Sequence, residues 1–320
     1  MSWGPRVVTL SGGVGGARLA DGLARVLPAD QLTVIVNTGD DFRHYGLYVA
    51  PDIDTVLYTL SGRANPATGW GLAGDTDGVM RALRALGDDA WFHLGDVDLA
   101  THLVRTSALE SGQTATAVTS RLAAALGVKP TILPATDDPL ATLVQTEVGE
   151  LDFQTWFVRQ RCQPEATGVR FAGAEAARPT LQVLSALAAA DVIVVGPSNP
   201  YLSLGPILAI PGLHAALREA PGVKVAVSPL IGGQAVKGPA ADMLRRIAGS
   251  SGNLSVAEHY VDFLHGLVID RADLADTEAL SALGLAVHAT DILVPNGPDR
   301  QRLAVEVLAF AQLLAARAAR

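Results

Sequence analysis

The chain has 320 residues, 49% hydrophobic and 18% charged, which is apolar enough for a buried core and excludes disorder as the dominant state. Its 24 Lys and Arg against 32 Asp and Glu leave a net charge of -8, the wrong sign for nonspecific binding of nucleic acid or an anionic membrane. One cysteine, Cys162, excludes a disulfide framework and a cysteine-rich metal site.

The opening residues carry no apolar stretch with a small-residue cleavage site, and no run of about 18 apolar residues occurs, so a cytoplasmic protein without a membrane span is expected. Short runs rich in β-branched residues recur at Val7 to Leu10, Leu32 to Val36, Val192 to Val195, Val223 to Val227 and Leu267 to Ile269. They lack polar alternation, which predicts strands buried on both faces of a parallel sheet. Ala17 to Leu27, Thr180 to Ala190 and Pro206 to Ala220 carry helical spacing, the last interrupted at Pro211-Gly212. Strand, helix, strand in this order predicts an α/β protein with a doubly wound, mainly parallel sheet. Residues 73 to 127 read as a helical segment, 142 to 173 as a small β excursion turning near Gly149, and Gln301 to Arg320 as a final amphipathic helix.

The first strand runs into Ser11-Gly12-Gly13-Val14-Gly15-Gly16-Ala17-Arg18 and then a helix. Glycines let the backbone approach a phosphate, and a helix N-terminus offers free N–H groups to an anion, so Gly12, Gly13, Gly15 and Gly16 are candidate substrate contacts. The competing explanation is a tight turn that binds nothing. A Walker A loop is excluded, since the first lysine is Lys129. A dinucleotide fingerprint fails twice: Arg18 stands at its sixth position, and the second strand ends in Asn37, not in an acid.

Asn37-Thr38-Gly39-Asp40-Asp41 follows the second strand, and Pro51-Asp52-Ile53-Asp54-Thr55 follows shortly after, in position to open a helix. Four carboxylates this close repel one another unless a cation stands among them, and a hard divalent ion suits oxygen ligands. A turn or cap role explains any one of them equally well; for the cluster beside a glycine loop, a metal is favoured. Further on, Asp98 is expected to cap a helix that carries His102, a base or ligand if it is not structural. Thr136-Asp137-Asp138-Pro139 reads as a turn as readily as a site. Ser198 and Asn199, in Gly196-Pro197-Ser198-Asn199-Pro200, and Gly232, in Ser228-Pro229-Leu230-Ile231-Gly232-Gly233, follow strands and should gather at the same sheet edge.

Together, SGGVGGARLADGL, VIVNTGDD, PDIDTVLYTL, GWGLAGDT, LGDVDLATHLVRT, ILPATDDP, FQTWFVR, GPSNPYLSLGPIL, SPLIGG and VKGPA resemble, in family order, the 2-phospho-L-lactate transferase family (CofD/FbiA type) of coenzyme F-420 biosynthesis. The resemblance implies a Rossmann-like single domain over 1–320, its core about 1–72 and 175–320 and a helical and β insertion about 73–174, often dimeric. It implies transfer of a phosphorylated C3 acid, lactate- or enolpyruvate-derived, from a guanylyl diphosphate to the ribityl hydroxyl of the deazaflavin Fo, with GMP leaving and Mg²⁺ required. On that basis Asp40 and Asp54 are expected to meet the metal or Fo, and His102 to join them in catalysis. Asp41, Asp52, Asn37, Thr38, Thr55 and Asp98 support the substrates; the glycines with Ser198, Asn199 and Gly232 hold the guanylyl diphosphate. His102 or Arg105 would meet a phosphate. The family commonly has arginine after Gly-Asp, where this chain has Val97; Arg43, Arg63 or Arg105 would have to compensate. The alternative is a non-catalytic nucleotide-sugar-binding regulator like the related gluconeogenesis-factor family, which shares the glycine loop.

Overall fold

The computed structural model describes residues 4–236, 238–250 and 252–318. Lys237 of the VKGPA motif and the last two residues of the expected C-terminal helix lie outside them.

The main sheet has seven strands: β1 (Val7–Ser11), β2 (Leu32–Val36), β3 (Thr131–Pro134), β4 (Val192–Val195), β5 (Val223–Val227), β6 (Gly266–Asp270) and β7 (Ala286–Thr290). Their spatial order is β7-β6-β5-β4-β1-β2-β3, and every neighbouring pair is parallel. This is the doubly wound α/β architecture the sequence predicts. The order reverses between β1 and β4, which places the ligand crevice of such sheets at their carboxyl ends. Successive side chains serve opposite faces: Val192 and Val194 pack into one apolar cluster, Ile193 and Val195 into the other. That two-sided burial is why these runs show no polar alternation.

Three differences from the sequence expectation matter. β3 and β7 are edge strands that propensity did not flag; β3 ends in Pro134, tolerated because an edge strand leaves one side of its backbone unpaired. Since β3 belongs to the main sheet, the stretch 73–174 is not purely an insertion. It does contribute the helices α3 (Gly78–Ala85), α4 (Asp98–Glu110) and α5 (Ala115–Leu126), and an antiparallel sheet of Ala141–Thr146, Gly149–Asp152 and Ala166–Ala172. Finally, α1 (Gly13–Val26) begins inside the glycine run, not at Ala17. The C-terminal helix, Gly297–Ala318, packs against α1. No single helix among the described residues is long and apolar enough to cross a membrane.

Candidate active site

The polar residues converge at the carboxyl end of β1 and β2, from the loop after β2, the first turn of α2 (Pro51–Leu60) and one face of α4, beside the start of α1. Pro51 opens α2 at a position where a missing N–H costs nothing, and places Asp52 and Asp54 in the first turn, where the helix dipole favours anions. Both are buried, as is Asp40.

Asp52 links the glycine turn to the second strand. Its Oδ1 accepts the Gly13 N–H at 2.7 Å, and its Oδ2 accepts the Asn37 amide at 2.9 Å. Asn37 in turn accepts the Gly39 N–H at 2.8 Å. The first free N–H of α1 is therefore already engaged by an internal carboxylate. Three of the glycines are explained by close packing: a Cβ on Gly12 would lie 2.6 Å from Ser203 Cβ, on Gly15 2.2 Å from the Pro197 carbonyl oxygen, and on Gly16 2.5 Å from Ser11 Oγ. Only Gly13 needs its conformational freedom, at φ +63°.

Asp54 lies across Arg105 of α4, which is buried and donates from both terminal nitrogens, Nη1 to Oδ2 at 3.0 Å and Nη2 to Oδ1. Arg105 Nη1 also lies 3.2 Å from His102 Nδ1. A guanidinium only donates, so Nδ1 accepts; Nε2 lies 3.3 Å from Asp98 Oδ2 without a hydrogen-bond partner. The Tyr58 hydroxyl donates to the other oxygen, Asp98 Oδ1, at 2.6 Å. Asp54, Asp98 and His102 offer ligand atoms within 4.8 Å of one another, a group that could hold a metal, but Arg105 already supplies a cation there.

Asp40 and Asp41 are less well compensated. Each keeps a buried oxygen, Oδ1, without a hydrogen-bond partner. Burial, and then the charge of Asp52, holds Asp40 well above the usual carboxylate range. Burial raises Asp41 likewise, although Arg105 opposes it. Asp52 is raised by burial despite its two donors. Tyr48 donates to Asp41 Oδ2 at 3.0 Å, and that carboxylate pushes the phenol upward. The four aspartates thus influence one another electrostatically, with Arg105 as the buried cation among them. Thr38 and Thr55 are buried beside them, and Thr38 Oγ1 has no partner.

Other predicted residues have structural work. Asp98 does not cap α4; it is the first helical residue, and Asp75 accepts the N–H groups of Val97 at 2.8 Å and Asp98 at 2.9 Å. A carboxylate from a distant loop does this because the side chain of Asp98 is turned toward Tyr58 and His102. Val97 is exposed. Ser198 donates to the Gly12 carbonyl at 2.7 Å, and Asn199 caps the next turn through the Tyr201 and Leu202 N–H groups. Gly232 and Gly233 give their N–H groups to Asp273. Asp137 accepts from Thr116 N in the first turn of α5 and Asp138 from Arg178 N, tying their loop to distant segments. Tyr48, Tyr58 and Asp75 escaped the sequence analysis: nothing in their local pattern marks a contact 7, 40 or 22 residues away.

The model of the family described as 2-phospho-L-lactate transferase CofD matches residues 7–304. The chain belongs to that family. A 2-phospho-L-lactate transferase of Methanosarcina mazei is 37% identical over 305 residues, covering 95% of this chain and 100% of the relative. Phosphoenolpyruvate transferases of Streptomyces griseus and Streptomyces avermitilis are 40% and 41% identical over 313 residues each, covering 96% of this chain and 98% of each relative. Two crystal structures of a Bacillus halodurans protein, described as a member of the UPF0052 family, share the fold. Their TM-scores are 0.66 and 0.63, each at 19% identity, with 96% of this chain and 100% of that one covered. In this CofD-family member the aspartate cluster occupies the crevice its topology predicts, which makes it the candidate active site.

Proposed function

We propose that this chain transfers a phosphorylated C3 acid, 2-phospho-L-lactate or phosphoenolpyruvate, from its guanylyl diphosphate derivative to the ribityl hydroxyl of Fo, releasing GMP. The supporting observation is the cluster of buried Asp40, Asp52 and Asp54 with half-buried Asp41, in which one arginine, Arg105, compensates only Asp54 and Asp41, in a chain of the transferase family. Such a deficit of positive charge suits a site whose ligand brings a cation with it.

The donor set fits Mg²⁺: hard oxygen ligands, two of them unpartnered and buried. Asp40, with Asp41 beside it, would hold the ion; Asp54, the other ligand expected from the sequence, enters the site as one half of its pair with Arg105. When bound, Mg²⁺ neutralises charge on the diphosphate. The chain's own residues do the rest. Asp52 and Asn37 fix the glycine turn against β2. Arg105 and His102 hold Asp54 in one orientation toward the acceptor hydroxyl. Catalysis is then mainly positioning and charge neutralisation.

Incubating the purified protein with Fo, Mg²⁺ and the guanylylated lactate or enolpyruvate derivative should give the phosphodiester product and GMP by mass spectrometry. No product from either donor overturns the assignment. Thermal stabilisation by UDP-sugars, with none by Fo or GDP, would favour the regulator instead.

A further inference from the structure

Arg18 stands on α1 one turn beyond Val14. Helical side chains lean toward the helix N-terminus, and the guanidinium reaches back to the first turn. A Cβ built on Gly69 would lie 2.6 Å from Val14 Cγ1 and 3.6 Å from Arg18 Nη2, so both side chains meet the same loop. The Arg18 side chain makes no hydrogen bond or ion pair among the described residues, and its Nε is buried without a partner.

Its neighbour is another cation. Arg300, at the start of the C-terminal helix, is near enough that burial and its charge together depress Arg18. Arg300 is itself largely buried; it gives Nη1 to Asp21 at 3.0 Å, while its Nε has no partner. Arg25 takes the same Asp21 oxygen at 2.9 Å. Two guanidiniums therefore share one carboxylate and a third, Arg18, stands near them with no counter-charge of its own, in a protein whose net charge is -8. Around Asp40 and Asp52 the carboxylates are in excess; around Asp21 the imbalance has the opposite sign. Like charges held together with unpaired, water-poor nitrogens are unfavourable unless an anion joins them. The positive end of the α1 dipole adds to the same field.

We propose that Arg18, assisted by Arg300, is an anion site that takes diphosphate oxygens. Guanidinium forks match phosphate geometry, and Arg18 lies in the helix that the glycine turn opens. That the diphosphate belongs to the nucleotide donor rests on the function proposed above; the anion site itself does not.

Isothermal titration of the full chain with inorganic pyrophosphate, and separately with GDP, tests this. Arg18→Met should weaken both by about 10- to 100-fold, the loss expected for a charge-assisted hydrogen bond. Arg18→Lys should recover part of the affinity, and Arg300→Met should weaken binding less, since Arg300 is shared with Asp21. Arg121→Met, an equal charge change on the exposed face of α5, should have no effect. Pyrophosphate binding unchanged in Arg18→Met, an equal loss in Arg121→Met, or no binding to the unaltered protein overturns the proposal. Binding lost in Arg18→Met by a protein that makes no product from Fo upholds the anion site and removes the transferase assignment. Should Arg18→Met fail to fold, Arg18→Lys and Arg18→Gln carry the same comparison.

Discussion

Arg105 and Asp54 form a bidentate pair, buried between α4 and α2, with His102 accepting from the same guanidinium. The most reactive-looking carboxylate of the sequence is therefore half of an ion pair, and substitutions there have two consequences.

Asp54→Asn should lower kcat by roughly 100-fold or more, the scale of removing one preorganised electrostatic group. It should also destabilise the fold, by about 3–5 kcal/mol if Arg105 is left wholly unpaired and by less where Asp41 compensates it. Asp54→Asn combined with Arg105→Met should regain stability without regaining turnover. Chemical denaturation and steady-state kinetics on both variants check this; full stability in the single variant would show that the pair is not what holds Arg105.

Asp40→Asn should behave in the opposite sense on stability. A carboxylate held above its ordinary range by burial is at a disadvantage when ionised, so the neutral amide should raise the melting temperature of the ligand-free protein at neutral pH by about 2–4 °C. Turnover should fall sharply. A lowered melting temperature at neutral pH would contradict the assigned direction.

The pH dependence follows with the same sign. Asp40, Asp41 and Asp52 are all raised, so the folded state binds protons more tightly than the unfolded state. Their contribution is fully present below the ordinary carboxylate range and is lost as pH rises through their raised values. Mg²⁺ should offset that loss, and EDTA should restore it. Melting temperatures across pH, with and without Mg²⁺, measure the effect; an identical profile in both conditions would argue against a cation at these aspartates.

Asp75→Ala should unfasten the start of α4 by removing the acceptor for two backbone N–H groups, at about 1–2 kcal/mol. Because Asp98 and His102 ride on that helix, the variant should lose turnover as well, in proportion to the displacement of Arg105. Ser substitution, which keeps an acceptor, should recover part of the stability.

Gly15→Ala should cost about 1–3 kcal/mol, because its Cβ would strike the backbone carbonyl of Pro197, which has little room to move. Glycine at this position serves contact between the β1 and β4 loops, and denaturation midpoints would report it.

Much of this was legible in the sequence. Five buried runs specified a parallel sheet, because apolar β-branched stretches without alternation are stable only when covered on both faces. Asp40, Asp41, Asp52 and Asp54 were legible as a cluster, since two short motifs flank the loop after one strand. Local pattern did not reveal β3 and β7, whose edge positions lessen the demand on composition, nor the start of α1 within its glycines. Only the tertiary structure decided which charges meet. It set Arg105 against Asp54 across 51 residues, Asp75 beneath α4 across 22, and Arg300 near Arg18. The residues fix how much charge the chain carries. The packing of helices around one sheet edge fixes where it is compensated and where it is left for a ligand, because electrostatic energy depends on distance and burial, neither of which is a property of local sequence.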